Sequence, residues 1–238
     1  MSEEVKRMNA DDKATDGMEA RLLYRDGLML VIDKPAGLPV HPGPGGGETL
    51  FHHLDSLRFG LPRKPEVAHR LDKDTSGCLI LGRHPKALRR LGKLFQNNDI
   101  DKTYWAVVEG GPAEDEGEID LPLAPKSPDR GWWMKVDPQG QQSLTEWRVL
   151  GRTQDSAGNK LSLLELKPIT GRTHQLRVHC AAMGWPILGD TIYGNAPRFT
   201  GPGLHLHARS LTIPLYPKKP AIVVEAPVPE HMAGYFTS

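Results

Sequence analysis

Apolar residues fall along this chain in short, dense runs rather than long amphipathic stretches. Met29–Leu30–Val31–Ile32 and Cys78–Leu79–Ile80–Leu81 are unbroken, the pattern of strands buried on both faces. The first run closes at Lys34–Pro35–Ala36–Gly37, a turn signal, and the Gly- and Pro-rich stretch His41 to Glu48 that follows excludes regular structure. Leu50 to Phe59 puts apolar residues at helical spacing, with Thr49 as N-cap. Pro85 suits a first helical turn, after which Leu88, Leu91, Leu94 and Phe95 share one face. Lys102 to Glu109 is β-branched and aromatic, as strands prefer. Further strands are predicted at 143–150, 161–166, 206–213 and 221–226. A helix is predicted from near His174 to Gly184, and loops with short strands across 110–142. Residues 1–18 are polar and aperiodic, which predicts a disordered leader, with organised structure from Arg21 and one domain over 19–238. Strands mixed with a few helices, without regular βαβ units, predict an α+β fold.

Composition narrows the function class. The 238 residues hold 30 Lys or Arg and 29 Asp or Glu, a formal charge of +1. No apolar run reaches the ~18 residues of a membrane span, and the charged N-terminal residues lack the apolar core of a secretory signal. The only cysteines, Cys78 and Cys180, cannot form a disulfide framework and fit a reducing, cytoplasmic setting. The near-neutral balance conceals an uneven distribution. Eleven Lys or Arg stand against five Asp or Glu from Arg58 to Lys102, and six acids stand without a base from Glu109 to Asp120. The first region carries a local positive field of the kind that attracts nucleic acid.

The densest group of chemistry-bearing residues is His69–Arg70–Leu71–Asp72–Lys73–Asp74–Thr75–Ser76–Gly77. Asp72, Asp74 and Ser76 would take the first, third and fifth positions of a calcium loop. Arg83 stands where that loop needs a bidentate Glu, and an apolar strand replaces its exit helix, so calcium is rejected. Two readings remain from the residues alone: a turn closed by side-chain-to-backbone bonds, or a carboxylate presented on a rigid loop beside a phosphate-binding cation. Histidine pairs at 52/53, 174/179 and 205/207 invite a metal reading. The 174/179 spacing is wrong for one helix face, and 205/207 lack a third ligand.

HRLDKDTSGCLIL resembles the signature of the RluA family of pseudouridine synthases. VIDKPAGLPVHPG (Val31 to Gly43), Lys102–Thr103–Tyr104, the long segment Pro168 to Gly194 and LHLHARSL (Leu204 to Leu211) are similar to the family's other elements, in the same order. Cys78 stands where an aliphatic residue is usual, and a thiol packs equivalently. The resemblance implies a single catalytic domain with a mixed, largely antiparallel central sheet flanked by helices and loops. It implies isomerisation of uridine to pseudouridine in RNA, with no cofactor and no metal. Asp72 would be the essential carboxylate, Arg177 its charge partner, Tyr104 the residue stacked on the target base, and Leu176 an apolar wall. Because a base inside folded RNA must be flipped out to react, Arg70 would fill the vacated space. His69 would be a hydrogen-bonded loop residue. Arg172, His174 and the basic face at 86–93 would touch phosphate.

The resemblance further implies structured RNA partners, the anticodon stem-loop of tRNA or ribosomal RNA. The sequence suggests a monomer without obligate protein partners. Too few residues precede Arg21 for an N-terminal S4-type RNA-binding domain, which points to the compact subgroup. Two other readings compete: a catalytically inactive RNA-binding module of the same fold, and a glycosidase. The latter needs a second carboxylate, for which the motif offers only Asp74, expected to point away from Asp72.

Overall fold

The computed structural model describes residues 17–43, 46–127 and 133–236. The bulk of the predicted leader, residues 1–16, lies outside them. Organised structure begins earlier than the hydrophobic pattern suggests, because Met18 opens a 3-10 turn, Met18–Arg21, and is buried.

Twelve strands follow in chain order: β1 (Leu22–Arg25), β2 (Met29–Lys34), β3 (Glu66–Val67), β4 (Ser76–Gly82), β5 (Asp101–Glu109), β6 (Glu116–Asp120), β7 (Leu123–Pro125), β8 (Met134–Val136), β9 (Leu144–Gln154), β10 (Lys160–Pro168), β11 (Leu206–Ile213) and β12 (Ile222–Glu225). The helices are α1 (Pro85–Gln96), α2 (Gln175–Ala182) and α3 (Glu230–Phe236). Ten strands form one sheet in the order β1-β2-β4-β11-β5-β10-β9-β6, with β3 also on β4 and β12 also on β11; β7 and β8 make a separate hairpin. Among the described residues only β4 and β11 pair in parallel. The expected mixed, mainly antiparallel sheet with few helices is therefore what forms.

The unbroken apolar runs are explained by two-sided burial. Leu30, Ile32, Leu79 and Leu81 face a cluster containing Leu50, Leu54 and Leu57. Their alternating neighbours Met29, Val31, Cys78 and Ile80 pack with Leu91 of α1 and Ile100 on the other side. Helix α1 starts as its sequence dictates: the His84 side chain accepts the Ala87 N–H, and Pro85 occupies the first turn.

The helix expected over 50–59 is not formed. Two 3-10 turns, Leu50–His53 and Ser56–Arg58, take its place. The chain turns sharply at Phe59 (φ 45°) and Gly60 (φ 82°), and all three leucines are still buried. The apolar spacing reported burial correctly but not the pitch of the backbone.

One close approach fixes the middle of the sheet. Gly77 (φ +104°) lies opposite Ala208 of β11, and a Cβ at position 77 would overlap the Ala208 carbonyl. Ala208 in turn pairs with Tyr104 of β5. Strand β4, which leaves the Asp72 loop, is thereby held at a set distance from the strand that carries Tyr104.

Candidate active site

The loop bearing Asp72 connects β3 to β4 and is tied down from both sides. Lys34, fully buried, donates to the carbonyls of Pro35, Leu38 and Lys73 at 2.8, 2.9 and 2.9 Å. Gly37 adds its N–H to the same Lys73 carbonyl at 3.0 Å. Burial lowers the Lys34 ammonium to about 8, opposed by the charges of Asp74, Asp72 and Asp33. The Lys-Pro-Ala-Gly turn is thus a clamp on the loop. At the loop's entry His69 Nε2 accepts the Ile80 N–H at 3.0 Å, and its ring packs 4.6 Å from that of Phe95. Burial, with Lys102 nearby, pushes the imidazole down to about 3, so it is neutral and structural, as expected for a loop residue.

The opposing wall is the turn into α2. Gln175, buried, organises it. Its Oε1 accepts from Thr170 Oγ1 (2.7 Å) and the Arg172 N–H (3.0 Å), while its Nε2 donates to Leu144 O and Thr145 Oγ1. This network holds His174 in the left-handed region (φ 53°, ψ 18°) at the helix start. Such a backbone costs on the order of 1 kcal/mol for a non-glycine residue and persists where surroundings enforce it, often at functional sites. His174 was expected to touch phosphate, yet its side chain is turned inward. Nδ1 lies 2.8 Å from Tyr193 Oη, which accepts the Met134 N–H at 3.0 Å, and Nε2 lies 3.6 Å from Asp72 Oδ2. The phenol hydroxyl and Nδ1 thus share a hydrogen bond, and the far ring nitrogen faces the Asp72 carboxylate. Burial lowers the His174 pKa and the Asp72 charge opposes it, so the ring is neutral near pH 7.

Arg177 sits in the first turn of α2 and is only 4% exposed. Asp190 grips it in a fork, Nε to Oδ2 and Nη2 to Oδ1, both 2.8 Å. The remaining nitrogen, Nη1, reaches Asp72 Oδ2 at 3.5 Å. Burial works against the Arg177 charge, but the Asp190 hydrogen bonds together with the charges of Asp190 and Asp72 outweigh it and raise its pKa. The same fork lowers Asp190 against its own burial. Asp190 also caps the turn behind it, accepting the Ile192 and Tyr193 N–H groups. Among the described residues Asp72 Oδ1 has no hydrogen-bond or ion partner.

These walls enclose a cleft of about 500 Å³ lined by all eight residues singled out in the sequence: His69, Arg70, Asp72, Tyr104, Arg172, His174, Leu176 and Arg177. Arg70 and Arg172 are exposed at it, and Arg172 donates from Nε to the Gln142 carbonyl. Leu176 is buried and lines it. The Tyr104 phenol is pushed up by burial, then by Asp72 and Cys78, so it stays protonated. Asp74 is exposed and does not line the cleft, and Asp190, held by Arg177, does not line it either, so among the described residues Asp72 has no second carboxylate in the cleft of the kind a glycosidase needs. Among the described residues no three His, Cys, Asp or Glu side chains are placed to hold a metal ion.

Sequence reasoning missed Asp190, Tyr193, Gln175 and Lys34 as parts of this site. Asp190 did carry a signal, as a lone acid in the mainly apolar stretch between Leu176 and Tyr193.

The profile of the family described as RNA pseudouridylate synthase matches residues 28–182. An RNA pseudouridine synthase of Zymomonas mobilis is 46% identical over 212 residues, 88% of this chain and 94% of that protein. The dual-specificity RNA pseudouridine synthase RluA of Escherichia coli is 39% identical over 81% of this chain and 85% of its own length. Among solved structures, human RNA pseudouridylate synthase domain containing 4 superposes with a TM-score of 0.76 at 26% identity, covering 92% of this chain and 94% of that one. With most of its length matched in both sequence and fold, the chain belongs to the RNA pseudouridylate synthase family, as an RluA-type enzyme.

Proposed function

We propose that the enzyme uses Asp72 as its essential carboxylate on a uridine flipped into the cleft from structured RNA. The observation that carries this reading is the arrangement around Asp72. One oxygen is 3.5 Å from a guanidinium that Asp190 already holds, and the other has no partner among the described residues. A fixed cation beside one oxygen offsets the carboxylate's charge and leaves the other oxygen open to substrate. The reaction breaks the N1–C1′ bond, turns the freed uracil and joins C5 to C1′. The proton on C5 is lost and N1 regains one, so no atom enters or leaves overall. Tyr104, protonated and on β5, the strand beyond β11, stacks on the base and assists at C5. Leu176 gives an apolar wall, Arg70 takes the space vacated in the RNA, and Arg172 binds phosphate. The E. coli relative's name, dual-specificity, supports more than one RNA substrate; the anticodon stem-loop of tRNA and ribosomal RNA are the two proposed. A module that merely binds RNA would gain nothing from a carboxylate placed among phosphates.

The test is chemical marking of pseudouridine in cellular RNA, read by sequencing, in strains with and without the gene and with Asp72→Asn. Loss of marked sites in both altered strains, with RNA binding by the purified variant largely spared, is the expected outcome. Unchanged marking everywhere without the gene sinks the proposal. Loss of binding along with turnover would make Asp72 structural.

A further inference from the structure

The cleft also holds a partly buried cation, Lys102, that the pairing around Asp72 leaves unused. Lys102 lies two residues before Tyr104 on β5, so both side chains leave the strand on the same face. Both line the cleft. Lys102 is partly buried, and among the described residues it has neither an ion-pair nor a hydrogen-bond partner. Asp101, the nearest charge of opposite sign, is exposed and follows the alternate face of the strand. Burial lowers the Lys102 pKa, with Asp101 opposing. Across the cleft its Nζ approaches the loop into α2 at Gly171, where a Cβ would stand 3.9 Å away. The ammonium lies close enough to the neutral His69 ring, itself packed near Phe95, to act on it, and both rings line the cleft.

An ammonium drawn out of water without a counter-charge costs free energy unless a ligand supplies one. Every other buried cation of the site has its partners: Lys34 has three carbonyls and Arg177 two carboxylates. We infer that Lys102 is a phosphate-binding residue of the cleft, which takes the RNA backbone phosphate next to the flipped uridine. The spacing favours a phosphate over the reacting base. Two strand residues span about 6.6 Å, so a ring held at Tyr104 and Asp72 is beyond direct reach of the Lys102 root, while the adjoining sugar–phosphate lies toward it. The open backbone at Gly171 leaves room for that phosphate. This inference rests on the reading of RNA as the substrate and deepens it, because it assigns one contact to one linkage.

Lys102→Met and Lys102→Gln keep the stem volume and remove the charge. The probe is a synthetic tRNA anticodon stem-loop RNA, bound at several salt concentrations. The slope of log affinity against log salt should fall in magnitude by about one unit in both variants. It should stay unchanged in Lys160→Met, at the far end of β10. Methylphosphonate placed at successive linkages of the probe should weaken wild type at one linkage beside the target uridine, and neither Lys102 variant at that linkage. Turnover should show a raised KM with kcat nearly kept, since a phosphate contact is made before and during the reaction alike. Neither variant should unfold more easily than wild type, because the charge removed is an unpaired one. An unchanged salt slope, equal sensitivity of variant and wild type at every linkage, or a fallen kcat with KM intact each overturns the assignment. Failure of wild type to form pseudouridine in any RNA would instead defeat the proposed chemistry, and the binding measurements would still decide the role of Lys102.

Discussion

Arg177 meets two carboxylates, and the two contacts differ in kind. Its fork to Asp190 is bidentate, 2.8 Å at both bonds, with the Asp190 side chain fully buried. Its contact with Asp72 is single, 3.5 Å long, and reaches a side chain that is 19% exposed. The short pair fixes the cation and the long one uses it. A guanidinium has enough donors in a fixed plane to do both, whereas a lysine held as tightly by Asp190 would have no rigid second edge to present. A loose contact also suits a carboxylate that must approach substrate, because little has to be broken when Asp72 moves.

The comparison can be broken most sharply at Asp190. Asp190→Ala strands a buried guanidinium, and removing one partner of such a pair costs about 3–5 kcal/mol. Urea unfolding should show a loss of that order together with lost turnover; an unfolding midpoint within error of wild type would mean that the fork anchors nothing. Asp72→Asn should have the opposite profile. Stability should shift by less than about 1 kcal/mol, as for other partly exposed ion contacts. Turnover should fall at least about a thousandfold, equivalent to ~4 kcal/mol of transition-state stabilisation.

Acid separates the two regions by another route. His207 is almost fully buried, with Nδ1 2.9 Å from Ser76 Oγ, and burial lowers its pKa to about 4. Its unfolded value is near 6.5, so the unfolded chain takes up the proton first. The stability this neutral ring contributes is complete above about pH 6.5 and is lost as the pH falls toward 4, at ~1.4 kcal/mol per pH unit. The Asp190 carboxylate is shifted downward, so the fork should outlast the histidines. Unfolding curves at falling pH should therefore flatten in His207→Gln but not in Asp72→Asn. The smallest effect is expected at Tyr193→Phe, which removes the phenol between Met134 and His174. About 1 kcal/mol of stability should go, with a several-fold loss in kcat as His174 loses the hydroxyl that orients it beside Asp72; an unchanged kcat would mean that this orientation does not matter to turnover.

Much of the architecture was written in residue pattern because burial on two faces leaves an unmistakable trace, as in β2 and β4. Asp72 and Arg177 stood out through the motifs around them, and the cleft gathers all eight residues named from those motifs, though not the basic face at 86–93. What the pattern did not show has physical reasons. The leucines at 50, 54 and 57 report one buried side, which two 3-10 turns satisfy as well as a helix would. Strands β6, β7 and β8 lie in a charged, Gly- and Pro-rich region, and their exposed positions carry no apolar alternation. Asp190 stands thirteen positions beyond Arg177, a separation at which no periodicity announces contact. His174's inward turn depends on a left-handed backbone set by Gln175, and the sequence shows the residues but not that dihedral.

Gly77 has a consequence for anyone who would redesign this enzyme. The gap between the strand that follows Asp72 and the strand that carries Tyr104 is spanned by Ala208, with Gly77 on one side and Tyr104 on the other. A single methyl at position 77 would wedge that stack open, so the tolerance of the catalytic geometry is set by the smallest side chain available. Arg70 and Arg172, by contrast, lie exposed at the rim of the cleft, where no backbone approach of this kind constrains them. Position 77 is the ruler against which variants must be built, and a mutational library that samples it will spend those members on misaligned enzymes.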